Sequence, residues 1–181
     1  FTTSMSVLPK RNYLIVHPAN ISVKPFGGLV ELLGAIPIPG NVTATKKFMD
    51  VIEDRVVNKK QSITIYPEAH IWPYYVGIRN FKTVSFTYPI KLNKPVFCVT
   101  NTYQKNNNSS KVKMVSYIDG PFYPDMNLSK KDAQKKLRDM VYEKMVERAR
   151  NSNVEVVKYI KNIDNLTNMN DNSNVEKSER N

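Results

Sequence analysis

Apolar residues along this chain fall into two periods. Short, nearly continuous runs mark strands at residues 11–17 (Tyr13, Leu14, Ile15 and Val16, closed by Pro18), 35–38 (broken by Pro37 and Pro39-Gly40), 62–66 (leading into Pro67-Glu68), 96–103 and 111–117. Each is rich in β-branched or aromatic residues and bounded by turn formers, as strands are. The second period is helical. Across residues 43–59, Phe48, Val51, Ile52, Arg55 and Val56 recur at spacings of three and four, with charges opposite. A later stripe of Ala133, Leu137, Met140, Val141 and Met145 follows Ser129-Lys130-Lys131-Asp132, a capping box that predicts a helix start. The apolar patch over 25–33 before Gly34 predicts a short helix, and residues 1–8 the end of another, stopped at Pro9.

Helices alternating with short apolar strands predict an α/β domain with a mainly parallel sheet flanked by helices. The domain is expected over residues 1–161. Residues 162–181 are dominated by Asn, Asp, Ser, Glu and Lys, with Ile163, Leu166, Met169 and Val175 the larger apolar side chains. Such a segment buries too little surface to offset its ordering entropy, and a disordered tail is expected there.

The formal net charge of +11 favours anionic partners: nucleic acid, lipid headgroups or phosphorylated small molecules. A single cysteine, Cys98, rules out an internal disulfide, fits a reducing compartment and reads as inert strand core. The Asn-x-Ser/Thr triplets at Asn20, Asn41, Asn108, Asn127 and Asn165 read as accidents of an Asn-rich chain. No stretch reaches the ~18–20 apolar residues needed to span a bilayer, so membrane contact is expected to be peripheral. The opening Phe1-Thr2-Thr3-Ser4 lacks a signal-peptide pattern and reads as the interior of a longer sequence.

In an open α/β sheet, ligands bind beyond the carboxyl ends of the strands. The run at 62–66 delivers Pro67, Glu68, Ala69 and His70 to such an edge, followed by Trp72, Tyr74, Tyr75 and Arg79. This is the densest collection of functional side chains in the chain, and its plain alternative is a surface loop whose aromatics cap the core. Arg79 is the leading phosphate clamp, because a guanidinium matches a phosphate face in bidentate fashion. Lys91, after a Tyr-Pro break, is the weaker candidate. His17, ending a buried strand, reads as a packed residue rather than a base. The lysines and arginines from Lys130 to Arg150 interleave with acids and read as a solvated face, whose N-terminal lysines suit anionic lipid.

Tyr66-Pro67-Glu68-Ala69-His70 resembles the Phe-Pro-Glu-Gly-Thr-Arg block of the glycerolipid (lysophosphatidic acid) acyltransferases. Gly34-Ala35-Ile36-Pro37-Ile38 resembles that family's second block and Asn93-Lys94-Pro95-Val96-Phe97 its fourth, in the same order. The run from Tyr66 through Trp72-Pro73-Tyr74-Tyr75 to Phe81 is similar to a bacterial branch carrying Ala-His in the third block. The resemblance covers about residues 11–104. It departs in one respect that matters. The family's first block is a His-x4-Asp pair, but Ser22 stands five residues after His17 and Tyr75 five after His70. The block is expected upstream of Phe1, so the N-terminal part of the fold is expected to be missing. The second block also lacks the arginine that often follows it, Gly40-Asn41 standing there.

The resemblance implies acyl transfer from acyl-CoA or an acyl carrier protein thioester to the hydroxyl of 1-acylglycerol 3-phosphate, in phospholipid biosynthesis. It implies an acceptor site at the block containing Pro67, Glu68, Ala69 and His70, for which Arg79 and Lys91 are the candidate phosphate-binding cations. It implies no metal or redox cofactor, and work at the cytoplasmic face of the membrane. A non-catalytic lipid- or phosphate-binding module that keeps the pocket without the base is the alternative. Nucleic-acid binding is suggested only by charge and by the Tyr and Trp residues and is not expected, for want of a recognisable motif.

Overall fold

The computed structural model describes residues 10–20 and 32–160. The helix expected over 1–8, most of that over 25–33 and the tail at 162–181 lie outside them.

Three short strands form a parallel sheet: β1 (Asn12–Val16), β2 (Ala35–Pro37) and β3 (Ser62–Thr64), in the order β2-β1-β3. The register sets Ile15 against Ile36 and Tyr13 against Ile63. Strand alternation therefore places Tyr13, Ile15, Ile36 and Ile63 on one face. There they pack with Phe48, Met49 and Ile52 of helix α1 (Val42–Glu53), which continues as a π-helical turn through Asn58. Asn41 starts α1 by accepting the Ala44 N–H at 2.8 Å. On the other face, the buried Asn12 accepts hydrogen bonds from the Ser62 and Thr64 hydroxyls, each at 3.0 Å. Its polar side chain is thereby hydrogen-bonded to the neighbouring strand.

The expectation of one mainly parallel sheet needs correction. Strands β4 (Val96–Gln104) and β5 (Lys113–Phe122) form a separate antiparallel pair. The polar loop joining them is too short for the crossover that a parallel connection requires. Helix α3 (Lys130–Ala149) packs beneath this hairpin, burying Ala133, Leu137, Val141, Met145 and Ala149. Ser129 caps it as the sequence predicts: its Oγ accepts the Asp132 N–H at 3.2 Å, and its hydroxyl donates to the Asp132 carboxylate at 2.6 Å. Met140 is not in the stripe. It is exposed, as is Val51 on α1, where Met49 is buried instead. In each case a neighbouring position faces the core, because the covering elements reach only part of the apolar arc.

A helix at Tyr88-Pro89 is the element that sequence patterning misses. A 3-10 turn (Thr83–Phe86) runs into helix α2 (Thr87–Leu92), and Asn93 ends it at φ +47°. Pro89 lies within the first turn, where a missing N–H is tolerated. Despite its length, α2 joins the two cores. Phe86 and Ile90 belong to the cluster beneath the hairpin, while Tyr88 and Leu92 pack against the α1 cluster, with Tyr88 edge-on to Phe48 at 5.8 Å.

Candidate functional site

In a parallel sheet every strand ends at the same edge. With β1 between β2 and β3, the strand order reverses between β1 and β3, the position at which α/β sheets characteristically bind ligands. His17 follows β1 there, and the loop of residues 65–79 follows β3. The strand at 62–66 is shorter than expected, so Ile65 and Tyr66 already belong to this loop.

The loop is tightly turned. Tyr66 O accepts the Ala69 N–H at 3.1 Å, Glu68 O the His70 N–H at 2.8 Å, and Trp72 O the Tyr75 N–H at 3.2 Å. Ala69 and Tyr74 are held at φ +64° and +59°. Left-handed backbone at residues with a Cβ costs about 1–2 kcal/mol each and persists where surrounding contacts impose it.

Around Ala69, Arg79 supplies such contacts. Its backbone N–H and Nε both donate to Glu68 Oε2, at 3.1 and 3.2 Å. Its Nη2 donates to the Glu68 carbonyl at 2.9 Å and to the His70 carbonyl. The side chains of Arg79 and Glu68 are 18% and 25% exposed, so this ion pair is shielded more than a surface pair. The guanidinium also lies 4.7 Å from the centre of the Trp72 ring. The structure thus joins the Glu68 carboxylate and the Glu68 and His70 carbonyls to Arg79, turning most of the donors of Arg79 onto its own loop. Arg138 of α3 secures the loop's exit, donating from Nε to the Phe81 carbonyl at 2.9 Å and from Nη2 to Asn80.

The remaining candidates are divided between this loop and other elements. Pro67 is half-buried at the entry to the loop, and Ala69 and His70 are exposed. Lys91 stands exposed in the last turn of α2, outside the loop. His17 is exposed rather than packed, because β1 ends before it, and its Nδ1 accepts the Ala19 N–H at 3.2 Å. A neutral imidazole so bonded carries its proton on Nε2, where it donates. Cys98 is buried in β4, and burial pushes its thiol up to about 11, so it is not a nucleophile at neutral pH.

Two features escape the sequence reading. One is an open groove of about 460 Å³ between the loop and the hairpin end, lined by Pro73, Tyr74, Tyr103, Val112 and Met114. The other is Tyr159, which stacks on Trp72 at 4.8 Å, meets Tyr75 edge-on at 5.5 Å and donates its hydroxyl to the Pro73 carbonyl at 2.8 Å. It lies 86 positions from Pro73, and no local pattern signals such a contact.

Among the described residues, no group of three or more His, Cys, Asp or Glu side chains is placed to hold a metal, and no helix is long and apolar enough to cross a membrane. No protein-family model, curated protein or solved structure matches the chain.

Proposed function

We propose that this chain carries the acceptor side of a lipid acyltransferase, which moves an acyl group from a thioester to the hydroxyl of 1-acylglycerol 3-phosphate. The supporting observation is positional. The Pro67-Glu68 segment, whose resemblance to the acyltransferases suggests the reading, leaves the sheet edge beside the point where strand order reverses between β1 and β3. On this reading Glu68 faces the glycerol end of the acceptor, and Arg79 presets the carboxylate and the loop backbone. His17 and His70, exposed in the segments that follow β1 and β3, serve the phosphate. The thioester is a co-substrate, and anionic membrane supplies the acceptor. Neither histidine is followed by an aspartate five residues on, and the Nδ1 bond of His17 suits it to donation rather than proton abstraction. That observation favours a second reading, a lipid-phosphate binding module without transfer.

Titration of the 181-residue chain with lysophosphatidate and with uncharged monoacylglycerol, both below their aggregation concentrations, separates these readings, together with an assay of CoA release from acyl-CoA. Saturable binding of lysophosphatidate, weakened by about tenfold or more in Glu68→Gln and by several-fold in His70→Ala, is expected. Binding without CoA release supports the module reading for these residues, and acceptor-dependent release supports transfer. Absence of saturable binding overturns both.

A further inference from the structure

After α3 the chain does not leave the domain but crosses the end of the hairpin. The Tyr103 carbonyl accepts the N–H groups of Asn153 and Val154 at 3.0 and 3.2 Å, and Ser152 Oγ accepts the Tyr103 N–H at 3.2 Å. Asn153 Oδ1 accepts the Lys105 N–H at 2.8 Å. Beyond this anchor, residues 155–160 are exposed and adopt neither helix nor strand. Tyr159 nevertheless docks on the loop that follows β3, through Trp72, Tyr75 and the Pro73 carbonyl.

We infer that Tyr159 is a positioning residue for this loop: residues 155–160 form a reversible strap whose tyrosine clamps Trp72, and through it Arg79 and Glu68. The inference rests on the reading of the loop as the acceptor site for its functional meaning, but not for its physical test. The chain of contacts is continuous. Tyr159 stacks on the indole at 4.8 Å, the indole lies 4.7 Å from the Arg79 guanidinium, and that guanidinium fixes the Glu68 carboxylate and two loop carbonyls. Aromatic stacking and a cation over a ring are each modest in water. They suffice to bias a loop that already holds two residues at positive φ, yet an exposed segment tied by so few contacts opens locally without unfolding the core. The strap is thus placed to set how much of the loop is ordered and how accessible the indole face becomes.

Trp72 is the chain's single tryptophan, so tryptophan fluorescence reports the surroundings of this indole alone. Acrylamide is the appropriate quencher, because an ionic one would respond to the neighbouring guanidinium. In the full 181-residue chain, Tyr159→Ala is expected to raise the acrylamide quenching constant about twofold or more and to red-shift the emission. Tyr159→Phe, which keeps the ring and loses only the hydroxyl bond to Pro73, should restore most of the protection. Amide exchange should accelerate over residues 67–79 in Tyr159→Ala while that of α3 stays unchanged, which separates loop positioning from loss of fold. Quenching and exchange identical in Tyr159→Ala and the parent chain would overturn the inference. So would a uniform acceleration that includes α3. Since neither readout requires ligand or turnover, a failure here is distinguishable from a failure of the acceptor-site reading.

Discussion

Arg148 of α3 grips Asp119 of β5 through two of its nitrogens: Nε lies 2.9 and 3.1 Å from the two carboxylate oxygens, and Nη2 lies 2.6 Å from Oδ1. Asp119 is only 11% exposed, and the guanidinium additionally covers Tyr117 at 5.0 Å. The pair ties the last turn of α3 to the outer strand of the hairpin.

The first prediction follows from this pair. Hydrogen bonding to Arg148 holds the Asp119 carboxyl below the usual carboxylate range. A depressed folded-state pKa contributes stability that is present above the unfolded value, near pH 4, and is lost as pH falls through the folded value. Asp119→Asn should therefore lower the thermal midpoint by roughly 3–6 °C at pH 7. Midpoints of variant and parent should converge as the pH drops below about 4. A constant gap across that range would show that the charge is not the source.

The second prediction contrasts two residues of one expected stripe. Leu137 is 1% exposed within the cluster beneath the hairpin, whereas Met140 is 39% exposed. Denaturant unfolding should show a loss of about 2–5 kcal/mol for Leu137→Ala. For Met140→Ala it should show a change within about 0.5 kcal/mol. Comparable losses would place Met140 against a surface outside the described residues.

A third concerns Cys98. With desolvation raising its thiol to about 11, the thiolate fraction at pH 8 is roughly two orders of magnitude below that of an exposed cysteine. An aromatic disulfide reagent at pH 8 should label the native chain very slowly and the urea-unfolded chain at once. Rapid native labelling would mean that β4 opens far more readily than its packing against α3 implies.

The fourth tests Arg79 as a loop staple. Lysine keeps the charge but lacks the planar fork that reaches the Glu68 carboxylate and two carbonyls together. Arg79→Lys should speed chymotryptic cleavage after Tyr74 or Tyr75 several-fold and leave the thermal midpoint within a few degrees of the parent. Unchanged cleavage would mean that the turn bonds at Ala69 and Tyr75 hold the loop without it.

The sequence by itself determined what local chemistry determines. Strand β1 and helix α3 are legible because their apolar residues repeat with the right period, and Ser129 caps α3 because its hydroxyl reaches an N–H three residues on. Pro67-Glu68 can be placed after a strand because an apolar, β-branched run stops at it, and a proline cannot donate to a continuing ladder. Tertiary structure alone decided the rest. The reversal at β4 and β5 makes an antiparallel pair out of strands whose composition suits either direction. Helix α2 exists because Ile90 and Tyr88 find two different cores, although its own six residues carry little helical signal. Arg79, read from its guanidinium chemistry as the leading phosphate clamp, spends most of its donors on Glu68 and the His70 carbonyl, since the turn at Ala69 brings those acceptors together. Tyr159 meets Trp72 for the same reason that no periodicity could reveal it: the energy of that contact depends on proximity in space, which only the packed chain supplies.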